Sequence, residues 1–331
     1  MASQPQILLS SEPEFLTIPS KSQSPISHTF FPAINPSSSS SAQHLIVFIN
    51  GLGLPALSWL PAISILRSLT SCPAMLTYDR FGQGLSISRD PIDGTAGKEL
   101  GHDFLDIAND LHEIILTVSA SKLGLSAQDV TSGKLHIVLI GASIGAPISR
   151  LYVQHYSGMV PGMILLDSNI ANCNYSDFLP DPASPDFDPS LISEDCTLEQ
   201  YKDARAKLAA MFDLNVKNAE MLDRTTSPAL LPFADRPKLV GVGGKGPELT
   251  VVGHDPETFA EMSLQMMGTP KSLSQITNRY WAEYNRGLTK ITDEGKCGSV
   301  VIARGCGHFI QKDDPAFVAE EIVNIMERLR W

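Results

Sequence analysis

The sequence predicts an α/β protein: a mostly parallel central sheet with flanking helices and an inserted helical cap. Three observations predict it. Short continuous apolar runs alternate with segments whose apolar residues recur at helical spacing, the pattern of strand, crossover helix and parallel strand. Glycine-rich turns close several of those runs. A stretch rich in proline and aspartate breaks the alternation from residue 173, and no strand can be built there.

Taken in order, residues 1–13 read as a loose N-terminus, and two β-like runs at 15–18 and 26–31 suggest an antiparallel entry to the sheet. The serine run 37–41 reads as a surface loop. His44-Leu45-Ile46-Val47-Phe48-Ile49 is a continuous apolar run, as expected of a central strand buried on both faces. It ends in Asn50-Gly51-Leu52-Gly53, and a helix carrying Trp59, Leu60, Ile63 and Leu66 follows. The strand 74–78 stops at a Gly-rich turn, residues 79–86. A helix is expected from about 101 to 119, because Phe104, Ile107, Leu111, Ile114 and Ile115 form one apolar side. A strand at 136–140, a helix with Pro147 in its first turns and a strand ending on Asp167 come next. Helices near 198–212 and 217–224 complete a segment, 170–246, read as a cap over the sheet edge, the usual device for enclosing a small molecule. Residues 14–169 and 247–331 form the core domain on this reading. Its second part holds a strand at 249–252, helices from Pro256 to about Lys290, a strand at 299–303 and a terminal helix opened by Asp314-Pro315.

Composition narrows the function classes. Hydrophobic content of 43% with 18% charged residues is that of a globular chain, and 331 residues can bury a large core. A formal charge of −11 argues against nucleic acid or an anionic membrane as partner. No eighteen apolar residues run together and no secretory pattern opens the chain, so neither a membrane span nor export is expected. Five cysteines without a C-x-x-C pair read as reduced thiols, which points to the cytoplasm. Gly241-Val242-Gly243-Gly244-Lys245-Gly246 fits G-x-G-x-x-G, but a dinucleotide fingerprint needs a helix directly after the glycines. Pro247 and a strand follow instead, and no cofactor or metal is expected.

The chemistry centres on Gly141-Ala142-Ser143-Ile144-Gly145, a G-x-S-x-G pentapeptide between a buried strand and a helix. Such a turn lifts a serine hydroxyl above the sheet edge as a nucleophile. A serine hydroxyl needs a base within hydrogen-bond reach and a third group to orient that base. Among eight histidines, His308 alone stands late in the chain after a Gly-rich strand end, and it is the base expected. Two acids compete: Asp167 at the end of the strand after the elbow helix, and Asp255 after the next strand. Asp255-Pro256-Glu257 also reads as a helix cap with proline at the first position, a structural role. The oxyanion requires two preorganised N–H donors, expected from Ile144, the residue after the serine, and from Leu52 in the loop after the 44–49 strand.

On these residues the chain resembles the α/β-hydrolase superfamily over residues 44–168 and 249–330. Asn50-Gly51 stands where many relatives have His-Gly, residues 78–86 are similar to the family's Gly-rich turn, and Gly307-His308-Phe309-Ile310-Gln311 resembles its histidine loop. The order serine, acid, histidine agrees. One departure is Gly253-His254-Asp255 in place of Gly-x-x-Asp. Relatives with Leu-Asp-Ser after the strand that follows the elbow can carry the acid there, which favours Asp167. Serine at the elbow argues against haloalkane dehalogenase or epoxide hydrolase chemistry, whose nucleophile in this superfamily is aspartate. The resemblance implies a serine hydrolase acting on a carboxylic ester or lactone of a small, largely apolar molecule. The alternatives are a non-catalytic ligand-binding protein on the same fold, or a non-hydrolytic cyclase or acyltransferase.

Overall fold

The computed structural model describes residues 12–36 and 42–331. Most of the expected loose N-terminus and the serine run 37–41 lie outside the described residues.

Eight strands form one sheet: β1 (Glu14–Leu16), β2 (Ile26–Phe31), β3 (Gln43–Ile49), β4 (Ala74–Tyr78), β5 (Leu135–Ala142), β6 (Gly162–Leu166), β7 (Glu248–His254) and β8 (Val301–Ala303). Their order is β1-β2-β4-β3-β5-β6-β7-β8. β1 and β2 enter antiparallel, and from β4 to β8 every neighbouring pair is parallel. Ten α-helices accompany the sheet: α1 (Leu60–Leu66), α2 (Phe104–Val118), α3 (Ala127–Asp129), α4 (Gly145–His155), α5 (Leu198–Phe212), α6 (Ser227–Leu230), α7 (Pro256–Met267), α8 (Lys271–Leu288), α9 (Ile310–Asp313) and α10 (Pro315–Leu329) among the described residues.

The period-2 alternation of the central strands explains the layers. Leu45, Val47, Ile49, Ile137 and Leu139 point to one face and join Phe104, Leu111, Ile148 and Tyr152 of α2 and α4. Ile46, Phe48, Val138 and Ile140 point to the other and join Ile63, Leu66, Ile322 and Ile325 of α1 and α10. A strand covered on both faces has no solvated side, so its sequence is apolar throughout rather than alternating. Each fully buried aliphatic side chain here contributes about 1.5–3 kcal/mol.

Two local readings are corrected. The helix expected from about 101 begins at Phe104, because Gly101 lies at φ +111° and Asp103 forms a capping box with Asp106. Such a cap contributes about 1 kcal/mol. The helix expected at 217–224 does not form. Asn218 instead clamps the segment into a turn: its Oδ1 accepts from the Leu222 N–H and its Nδ2 donates to the Leu222 carbonyl. Met221 stands at φ +60°, and Glu220 is drawn inward to a buried partner described below. At Gly241–Gly246 a short turn passes directly into β7, with no helix following the glycines.

Candidate active site

The carboxyl ends of β3, β5, β6, β7 and β8 meet at one sheet edge, where ligands of open α/β sheets bind. Ser143 follows β5 at φ +52°, a left-handed conformation unusual for a residue with a Cβ. The glycines around it are required by close approach. A Cβ on Gly141 would lie 2.4 Å from the Gly145 carbonyl oxygen, and one on Gly145 would lie 2.3 Å from that of Ile49. The Ser143 N–H donates to the Leu166 carbonyl at 2.9 Å, and the Ser143 carbonyl accepts from the Asn169 N–H at 3.1 Å. The strained turn is therefore held from both sides.

His308 lies on the loop between β8 and α9, with its Nε2 3.0 Å from Ser143 Oγ and its Nδ1 2.6 Å from Asp167 Oδ2. Asp167 is fully buried, at φ +41°, with its N–H donating to the Val252 carbonyl. Burial pushes its carboxyl upward, yet the imidazoles of His254 and His308 outweigh this and hold it well below the ordinary carboxylate range. Asp255 is elsewhere: its carboxylate accepts from the N–H groups of Glu257, Thr258 and Gly305 and caps α7. Of the two acids weighed from sequence, Asp167 adjoins His308 and Asp255 does not.

The residues expected to supply oxyanion donors, Leu52 and Ile144, line the same cavity as Ser143 and His308. The Gly51 carbonyl accepts from Arg80 Nη2 at 2.9 Å and from Gln83 Nε2 at 3.0 Å. In a trans peptide the carbonyl and the next N–H point in opposite directions. Pinning the Gly51 oxygen to Arg80 and Gln83 therefore turns the Leu52 N–H away from that pair. Behind them sits Glu220, whose carboxylate accepts from Arg80 Nε, Arg80 Nη2, Gln83 Nε2 and the Gly53 N–H. Arg80 and Glu220 are both buried, so an ion pair ties segment 170–246 to the turn after β4, and hydrogen bonds from Gly53 to Glu220 and from Arg80 to the Gly51 carbonyl extend the tie to the Leu52 loop.

The cavity measures about 480 Å³. Its lining above the serine is mainly apolar and rich in methionine: Leu208 and Met211 from α5, Met262 and Met266 from α7, Leu273 and Trp281 from α8. Helices α7 and α8, outside segment 170–246, thus share in enclosing it. A wider, more open depression of about 860 Å³ uses a different stripe of α8, with Tyr280, Tyr284 and Gly287, and contains none of Ser143, Asp167 and His308. Among the described residues no group of three or more His, Cys, Asp or Glu is arranged to hold a metal ion.

A model of the alpha/beta hydrolase family matches residues 46–321. The chain belongs to that family. Solved structures of similar fold include a putative lipase from Acinetobacter baumannii, 15% identical, TM-score 0.52, with 97% of this chain and 92% of that chain covered. An epoxide hydrolase mutant from Vigna radiata is 12% identical, TM-score 0.54, with 96% and 99% covered. A thermophilic esterase from Thermogutta terrifontis is 16% identical, TM-score 0.50, with 96% and 98% covered. These likenesses establish the fold of this alpha/beta hydrolase. No protein of curated function matches its sequence significantly. Among its described residues, no helix is long and apolar enough to cross a membrane.

Two residues at the site were not singled out from sequence as parts of it. Glu220 gave no signal, since its partner Arg80 is 140 residues away. His254 had one: it is the single residue between Gly253 and Asp255, where the Gly-x-x-Asp pattern has two.

Proposed function

We propose that the protein is a serine hydrolase that cleaves a carboxylic ester or lactone of a small, largely apolar molecule through an acyl-enzyme. The observation that carries this reading is the continuous chain of contacts Ser143 Oγ, His308 Nε2, His308 Nδ1, Asp167 Oδ2. Ser143 Oγ attacks the carbonyl carbon as its proton passes to His308 Nε2, and Asp167 stabilises the imidazolium. The oxyanion accepts hydrogen bonds from the Leu52 and Ile144 N–H groups, each contributing a few kcal/mol in the transition state. Collapse breaks the carbon–oxygen bond, and the leaving oxygen takes the proton from His308. Water, losing a proton to His308, then attacks the acyl carbon; the bond to Ser143 Oγ breaks, and Oγ takes the proton back from His308, which releases the carboxylic acid and restores Ser143. In a lactone the leaving oxygen stays tethered to the acyl group.

The methionine-rich lining supports an apolar substrate, because thioether side chains adapt their shape to varied hydrocarbon. Segment 170–246, with α7 and α8, acts on this reading as the cap that keeps bulk water from the acyl-enzyme. The cytoplasm, where unpaired thiols persist, is the compartment we assign. A fluorophosphonate probe tests the reading. Wild type should label, and Ser143→Ala should lose labelling entirely while keeping its circular dichroism. Folded wild type that fails to label even with small probes would remove the activated serine, and the reading with it.

A further inference from the structure

Asp167 binds two imidazoles. Besides His308 on Oδ2, His254 Nδ1 lies 2.8 Å from Oδ1 and 3.0 Å from Oδ2, and the His254 backbone N–H adds a 3.2 Å bond to Oδ1. The other ring nitrogen, Nε2, lies 3.0 Å from Asn278 Oδ1. That amide has its orientation fixed, since Asn278 Nδ2 donates to the Pro256 carbonyl at 3.0 Å and a flipped amide would set two acceptor oxygens together. Both nitrogens of His254 therefore face acceptors. A neutral imidazole has only one N–H to give, and an imidazolium has two.

We propose that His254 is held as an imidazolium and serves as a positioning residue, sharing the Asp167 charge with His308 and setting the pH at which the site loses its base. The titratable groups around its ring are Asp167 from the end of β6, in direct contact, and His308 from the loop after β8, on the other side of that carboxylate. The charge of Asp255, next in the chain, also acts on it, although that carboxylate is turned to the cap of α7. Helices α7 and α8 present uncharged groups: Phe259 stacked at 4.3 Å, Trp281 edge-on at 5.6 Å, and Asn278. Burial opposes the positive charge, but the attraction of Asp167 and the hydrogen bonds to Asp167 and Asn278 exceed it, so His254 is raised above the ordinary imidazole range. The direction agrees with the geometry.

The consequence has a definite sign. With an imidazolium already on Asp167, a proton arriving at His308 meets a carboxylate whose charge is partly neutralised. Removing the His254 charge returns the whole carboxylate to His308, so protonation of the base becomes easier. The acid limb of kcat/KM should then move to higher pH, by about one unit. His254→Asn keeps an amide donor towards Asp167 and removes the charge. A limb that stays in place or moves to lower pH would overturn the proposal.

This kinetic measurement rests on the serine-hydrolase reading; a second does not. In wild type labelled with ¹⁵N-histidine, the ring nitrogens of His254, assigned through its backbone, should both resonate as protonated from pH 5 to 8. A neutral His254 ring at pH 8 overturns the proposal, whatever the enzyme's activity. That spectrum also decides the matter if His254→Asn fails to fold.

Discussion

The ends of β6 and β7 lie side by side in the sheet, and each delivers an aspartate to the same edge. Asp167 is fully buried and spends its carboxylate on two imidazoles. Asp255 is only partly buried and spends its own on three backbone N–H groups, two in the first turn of α7 and one at Gly305 after β8. One residue of chain separates the outcomes. On β7 the side chain that turns towards the buried edge belongs to His254, so Asp255 is carried outward and becomes a cap. The comparison teaches that position at a strand end does not decide an acid's partners; which way its side chain faces does.

The strongest way to break that comparison is Asp167→Asn, which keeps the volume and removes the charge. We expect kcat/KM on a chromogenic ester to fall by about 10²- to 10⁴-fold. A fall under tenfold would mean that another group orients His308. Next in size is Glu220→Gln, which leaves Arg80 buried without its counter-charge and loosens the pin on the Gly51 carbonyl. We expect stability to drop by about 3 kcal/mol in chemical denaturation. In steady-state kinetics kcat should fall by about tenfold or more, with KM little changed, since on the proposed mechanism the Leu52 N–H acts mainly in the transition state. A variant destabilised but kinetically normal would show that the pair only fastens the segment down. Smallest is Asp255→Ala, the sharpening control. It should leave kcat/KM within about twofold and cost about 1 kcal/mol, the value of a helix cap. A loss of activity comparable with that of Asp167→Asn would restore Asp255 as the acid.

Much of this molecule is legible in one dimension, and the exceptions have a common form. Strands β3 to β6 read directly from their apolar runs, since burial on both faces leaves a local mark. The turn at Ser143 reads as well, because Gly141 and Gly145 answer to backbone contacts close in the chain or in the adjoining strand. Residues 217–224 mislead: Lys217 to Arg224 is a plausible helix by propensity, which weighs only tenths of a kcal/mol per residue. A buried ion pair from Glu220 and the two-way clamp of Asn218 outweigh it.

By itself the sequence determined the alternation of strands and helices, the serine at the elbow and the histidine late in the chain, because periodicity and turn chemistry act over a few residues. Only the tertiary structure decided which acid meets His308, that Asp167 serves two imidazoles, and that Arg80 and Glu220 steady the Leu52 loop. Those choices rest on contacts between residues 87 to 141 positions apart. They depend on sheet order and register, and on which way one side chain faces at a strand's end, none of which leaves a local pattern in the chain.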